Sequence, residues 1–384
     1  MLRIDPSYIQ KANEATTAEQ LHVLLQRAIE LEHATIPPYL TALYSIRPGQ
    51  NQEVAALIRS VAIQEMLHMA IAANVLNAIG GHPRIADPKF VPDYPTTLPM
   101  NIGDGLVVGL NKLSRDTVGN VFMKIEEPET PDDFPVKPFA RKLVTPEGVA
   151  PEPFTPEFAT IGQFYEALIQ AIARLGKQLF VKSSPQVVNP QWFPETVLFA
   201  VTNPEQACAA LEIIRVQGEG TRQDPFDSGG KEVLEVIWAR GRGKDTPQSL
   251  PKAQHEQLAH YYRFAEIFYG RRLIATPGST QGYAYAGAPV PLDPFGVWDL
   301  VPNAKAERWA PGTQPRTDAE LFNRSYSSLL QALDNTFNGK PDALNSTIGI
   351  MYEMRLLAIR LIQHIDPETK KNCAPPFQFV SHPV

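Results

Sequence analysis

Residues 53–79 run EVAALIRSVAIQEMLHMAIAANVLNAI without a Gly or Pro, about seven turns of helix at 3.6 residues per turn. Val54, Leu57, Ile58, Val61, Glu65, His68, Ala72, Val75, Leu76 and Ile79 fall on one stripe of that helix. Eight of these ten positions are apolar; the exceptions are a carboxylate and an imidazole three residues apart. A charge on a stripe meant for burial is costly unless something compensates it. A metal ion suits a Glu-x-x-His pair, and a hydrogen-bonded Glu65–His68 pair is the competing reading.

The preceding segment repeats the anomaly. A helix is predicted from Thr16-Thr17 onward, with Thr17 as its cap and Glu19-Gln20 in its first turn. Its stripe is Leu21, Leu25, Ala28, Glu32, Thr35 and Tyr39, so Glu32 again stands where an apolar residue belongs. Pro37-Pro38 removes two backbone donors and is expected to kink or break this helix. The short connection through Pro48-Gly49 makes the two helices antiparallel neighbours, and Gly80-Gly81 ends the second.

Further helices are predicted at 115–126, 160–181, 204–219, 231–239, 252–273, 317–336 and 341–366. Between them lie proline- and glycine-rich connections, of which 82–157 and 274–315 are the longest. No β-rich block, repeat or low-complexity segment stands out, and the chain reads as mostly α.

Composition narrows the chemistry. Net charge is −6 in 384 residues, which argues against nucleic acid as the main partner. The 36 prolines exceed the usual share of about 5% and punctuate the helices, so they read as stiff connections. Two cysteines, Cys208 and Cys373, exclude a cysteine-built zinc site and suggest a reducing compartment. The N-terminal MLRIDPSYIQ has no signal-peptide pattern and no run of about 18 apolar residues occurs, so a cytoplasmic protein without a membrane partner is expected.

Carboxylates on two neighbouring helices, one within Glu-x-x-His, fit half of a di-iron carboxylate bundle. Oxygen and imidazole donors suit iron or manganese. For the other half, Glu219 lies in a polar row with Glu212 and Arg215 that could be solvated. His260 shares a face with Gln257, Phe264 and Ile267, where a buried structural histidine is the alternative. Glu126-Glu127-Pro128 reads as an exposed helix end. Glu166 and Glu266 read as ion-paired, and His33, about 100° from Glu32 on its helix, reads as structural. There is no nucleophile elbow, phosphate loop or dinucleotide fingerprint.

Five runs carry a resemblance: Ala28-Ile29-Glu30-Leu31-Glu32-His33-Ala34-Thr35-Ile36-Pro37-Pro38-Tyr39-Leu40, Gln64-Glu65-Met66-Leu67-His68, Phe122-Met123-Lys124-Ile125-Glu126-Glu127-Pro128-Glu129, Gln217-Gly218-Glu219-Gly220-Thr221 and His260-Tyr261-Tyr262-Arg263-Phe264. In this order, from about residue 18 to Ala374-Pro375-Pro376-Phe377, they resemble a bacterial ferritin-like family. That family is related to the C-terminal domain of the violacein-pathway iminophenyl-pyruvate dimer synthase. The resemblance implies a ferritin-like four-helix bundle over residues 1–280, with a C-terminal helical extension over 281–384. It implies metal ligation by Glu32, Glu65, His68, Glu219 and His260, with one or two iron ions, or manganese, as the cofactor. Gln257 stands where a second Glu-x-x-His would have its Glu, with Glu256 one place earlier, which implies a mononuclear or asymmetric site.

The expected function is a non-haem iron oxidoreductase using oxygen or peroxide on a small organic substrate, such as an imino or amino acid-derived metabolite. Tyr261 and Tyr262 would line its wall or donate hydrogen bonds to the ligands from behind. A ferritin-like iron-binding or storage protein without an organic substrate is the alternative, and a purely structural bundle the third reading. A homo-oligomer is compatible with the sequence.

Overall fold

Helix α1 (Ser7–Glu14) leads into α2 (Ala18–Tyr44), and α3 (Gln52–Ala78) returns beside it. The Thr17 amide donates to Gln20 Oε1 at 3.1 Å, which holds the start of α2. The computed structural model describes residues 4–128, 160–181, 184–219, 258–276 and 282–381. All ten positions of the predicted 53–79 stripe are buried, as are the six of the α2 stripe.

Of the two outcomes expected at Pro37-Pro38, the break does not occur: α2 runs on through both prolines to Tyr44. A proline at 38 leaves the Ala34 carbonyl without its usual i+4 donor. The Tyr94 hydroxyl supplies that hydrogen bond instead, at 2.7 Å and in the core. Thr35 Oγ1 donates to the Glu32 carbonyl at 2.8 Å in the same turn. The Tyr94 hydroxyl thus replaces the donor that Pro38 removes.

After α3 comes a hairpin of β1 (Thr96–Leu98) and β2 (Ile102–Val108), antiparallel. Next is a short helical run, called α4, made of Arg115–Thr117, a π-helical turn Val118–Phe122 and Met123–Ile125. Two amphipathic helices complete the bundle with α2 and α3: α5 (Ile161–Leu175), capped by Thr160, and α6 (Pro204–Glu219). Helix α6 packs on both α5 and α3. Helix α7 (His260–Tyr269) lies against α3 and the π turn.

The predicted 252–273 helix is shorter at its C-terminal end. Gly270 adopts φ +74°, a left-handed stop, and β3 (Arg271–Ala275) then pairs with β4 (Tyr283–Pro289). The expected helix at 231–239 and residues 252–257 lie outside the described residues. Two long helices, α8 (Gln314–Phe337) and α9 (Leu344–Ile362), pack on each other and against α3 and α2. A single contiguous apolar core runs from Leu21 through Phe264 to Phe377. Helix α3 is long and apolar enough to span a bilayer, but 61% of its most apolar window is buried inside the protein.

Candidate metal centre

Helix periodicity delivers Glu32 from α2 and Glu65 and His68 from α3 to the seam between these two helices and α5 and α6. The end of α4 adds Glu126, and the first residue of α7 adds His260. These five side chains are buried, His260 completely. They form two groups, Glu32–Glu65–His68 and Glu65–Glu126–His260, in each of which the ligand atoms lie within 4.8 Å of one another. A cation with bonds of about 2.0–2.2 Å needs its donors within roughly 4.4 Å, so small side-chain adjustments bring either group into range. Glu65 belongs to both.

The arrangement has an approximate internal symmetry. His68 Nδ1 lies 3.4 Å from Glu32 Oε2. His260 Nδ1 lies 2.8 Å from Glu65 Oε1 and 3.3 Å from Glu126 Oε2. The two imidazoles stack with centroids 5.3 Å apart. Each turns its Nε2 to a glutamine: His68 to Gln217 Oε1 at 3.0 Å, His260 to Gln64 Oε1 at 2.9 Å. An amide oxygen at that distance accepts from an Nε2–H, so Nδ1 is the nitrogen turned to the carboxylates. A cation held there would take the Nδ1 lone pair in place of a proton.

Tyrosines complete the shell. The Tyr165 hydroxyl donates to Glu32 Oε1 and that of Tyr39 to Glu126 Oε1, both in short hydrogen bonds. Burial, with the adjoining carboxylates adding to it, holds both phenols well above their ordinary pKa. Thr35 Oγ1 lies 3.1 Å from Glu65 Oε2.

Two buried carboxylates, Glu32 and Glu126, crowding a third, Glu65, are costly without positive charge. Among the described residues no Lys or Arg pairs with them; their ion-pair partners are the two imidazoles. Burial pushes the Glu65 carboxyl well above its ordinary pKa, and the charges of Glu126 and Glu32 push it further. Burial opposes ionisation of Glu32 too, but the hydrogen bond and charge of His68 outweigh it and hold Glu32 below the usual value. The donor set fits a pair of hard or borderline divalent cations, whose charge would remove this penalty.

Of the residues the sequence singles out, Glu32, Glu65, His68 and His260 are brought together. Glu219 is the last residue of α6, with its side chain outside the described residues, as are Gln257 and Glu256. Glu126 corrects the sequence reading: it is buried beside His260 rather than exposed at a helix end. Its position follows the π turn, which carries an extra residue per turn and shifts every later side chain around the helix. Simple 3.6-residue periodicity therefore misplaces it. Glu126 supplies the carboxylate that Gln257 made doubtful.

Tyr39 and Tyr165 are the tyrosines that donate to the carboxylates, and Tyr165 also lines the cavity over the centre, whereas Tyr261 and Tyr262 pack edge to face on one another and are not among its lining residues. Glu266 is ion-paired as expected, to Arg272 at 2.7 Å. Glu166 instead accepts a hydrogen bond from Gln170 at 2.9 Å. A cavity of about 40 Å³ adjoins the carboxylates, lined by Thr35, Ile125, Gly162, Tyr165 and Ile214 among others.

A helical bundle whose core holds a histidine–carboxylate cluster defines a class, and the chain belongs to the ferritin-like family, whose family model matches residues 25–269. It is 24% identical to dichlorochromopyrrolate synthase of Lentzea aerocolonigenes, over 99% of this chain and 38% of that protein. The chain thus spans well under half the length of that relative. A crystal structure of a ferritin-like protein from Caulobacter vibrioides superposes with a TM-score of 0.53 at 22% identity, covering 90% of this chain and 95% of that one. That likeness concerns the fold.

Proposed function

We propose that the protein is a non-haem iron oxidoreductase whose centre holds two metal ions and uses oxygen or peroxide on a small organic substrate. The observation that carries this reading is Glu65, common to two histidine–carboxylate groups. Iron, with manganese as the alternative, fits the oxygen and nitrogen donors. When bound, such a pair supplies redox chemistry and a Lewis-acid clamp for an oxygen ligand. Glu32, Glu126, His68 and His260 would hold it, with Glu65 between the two positions. Tyr39 and Tyr165 orient Glu126 and Glu32 and can hold a proton beside them.

The 40 Å³ cavity is of the size of a molecule of oxygen, peroxide or water. The distant relative is named as a synthase of an organic product, which favours an organic substrate over iron alone. An imino or amino acid-derived metabolite is the class we favour. Ferritin-like iron storage without an organic substrate is the second reading, favoured by the small size of that cavity.

Anaerobic titration with ferrous iron followed by elemental analysis tests the proposal, and two equivalents per chain are expected. Admission of oxygen should then consume it in proportion to iron, with a near-ultraviolet absorbance change. Less than half an equivalent of any transition metal would sink both readings. Uptake of many tens of irons per chain would favour storage.

A further inference from the structure

Helices α2 and α3 have a second working face. Successive helical residues point about 100° apart, so His33, Met66 and Met69 turn away from the metal centre toward α8 and α9. There a cavity of about 360 Å³ opens, within the range of sites for small organic ligands. Four of the chain's seven methionines line it, Met66, Met69, Met351 and Met354, a lining that adapts to irregular apolar ligands. Trp192, Ile63 and Tyr352, all partly exposed, stand on its walls.

His33, one of the residues lining this cavity, carries a buried polar atom without a partner among the described residues. His33 is 4% exposed and its Nε2 meets the Tyr326 hydroxyl at 2.8 Å, but its Nδ1 is buried without a hydrogen-bond partner. Leaving such an atom unpaired costs about 1–3 kcal/mol, which a ligand contact would recover.

The lining also carries cations. A second cavity of about 470 Å³ shares Leu43, Tyr44, Arg59 and Arg355 with the first and adds Arg47. Among the described residues no carboxylate lines either cavity. Among the described residues none of these three arginines has an ion-pair partner, although Arg272 and Arg308 are each paired to two carboxylates. Arg47 stacks 3.7 Å over the Trp298 ring, with its Nε buried and unpartnered. Three uncompensated guanidinium groups beside one opening are notable in a chain of net charge −6.

We propose that the two adjoining cavities form one binding site for an amphipathic organic anion. The apolar body occupies the methionine-lined cavity, and a carboxylate or sulfonate meets Arg59 and Arg355, with Arg47 behind them. The site faces away from the metal centre and does not rest on the reaction proposed for it.

Calorimetric titration of the manganese-loaded full chain with decanoate, 1-naphthoate and 1-decanol tests this. One equivalent of either anion should bind at least tenfold more tightly than decanol; which anion binds better separates an aliphatic from an aromatic ligand. The double variant R59A/R355A should weaken the anions at least tenfold and leave decanol within twofold. Ala70→Phe, which fills the apolar cavity, should abolish binding of all three. The manganese resonance spectrum should not change on adding decanoate. Equal affinity for decanol and decanoate, no effect of R59A/R355A, absence of binding, or a perturbed manganese spectrum would each overturn the proposal.

Discussion

The two halves of the metal centre are built in different ways. Glu32, Glu65 and His68 stand on two long antiparallel helices whose stripes are buried from end to end. Glu126 and His260 come from the end of a short, π-distorted run and from the first residue of a ten-residue helix. The first half is held by the same packing that holds the fold, whereas the second depends on local features and on its own hydrogen bonds. Rigid elements position ligands better than element ends do. The α2–α3 half should therefore be the tighter metal position.

The largest effect should come from the residue common to both halves. Glu65→Ala should reduce bound metal from two equivalents per chain to below half, by elemental analysis. Retention of one full equivalent would show that the halves do not share this ligand.

Single histidine variants sharpen the contrast next. His260→Ala should keep about one equivalent, bound by Glu32, Glu65 and His68. His68→Ala should leave the weaker position, with metal lost on desalting. Equal retention by both would remove the difference in rigidity.

The glutamines that fix the histidine tautomers should matter less. Gln217→Leu and Gln64→Leu should each weaken metal binding about 10–100-fold, the usual range for an outer hydrogen-bond partner. Each loss should fall on the histidine that the glutamine contacts, visible in separate phases of a titration.

A pH effect distinguishes the empty from the filled centre. The pKa of Glu65 is raised on folding, so its contribution to stability is present below its unfolded value and is lost as pH rises through the folded one. Metal-free protein should lose denaturation free energy as pH rises across that interval, while metal-loaded protein should not. Metal uptake should release a proton in the same interval, measurable in weakly buffered solution. The smallest effect belongs to the scaffold: Tyr94→Phe should cost about 1 kcal/mol by removing the bond to the Ala34 carbonyl.

The same division decides what the sequence could show. Glu32, Glu65 and His68 are legible because α2 and α3 are long enough for an interrupted apolar stripe to be noticed. His260 was detectable only as one polar residue on a short apolar face, and family resemblance raised it. Glu126 was hidden, since a π turn breaks the periodicity that would have pointed it inward. What carries α2 through Pro37-Pro38 was equally unreadable, because the compensating hydroxyl of Tyr94 lies 60 residues away in the chain. Bundle architecture follows from local pattern, whereas these exceptions follow from contacts between distant segments.

Sharing Glu65 has a consequence for how the centre fills. In the proposed two-metal centre the two positions would be linked equilibria: whichever cation arrived first would take up part of the carboxylate charge and fix a side chain the other also needs. By reciprocity, each then alters the other's affinity by the same factor. Its loading curve should be read as that of a coupled pair, in which a half-filled protein is a distinct species rather than the average of empty and full.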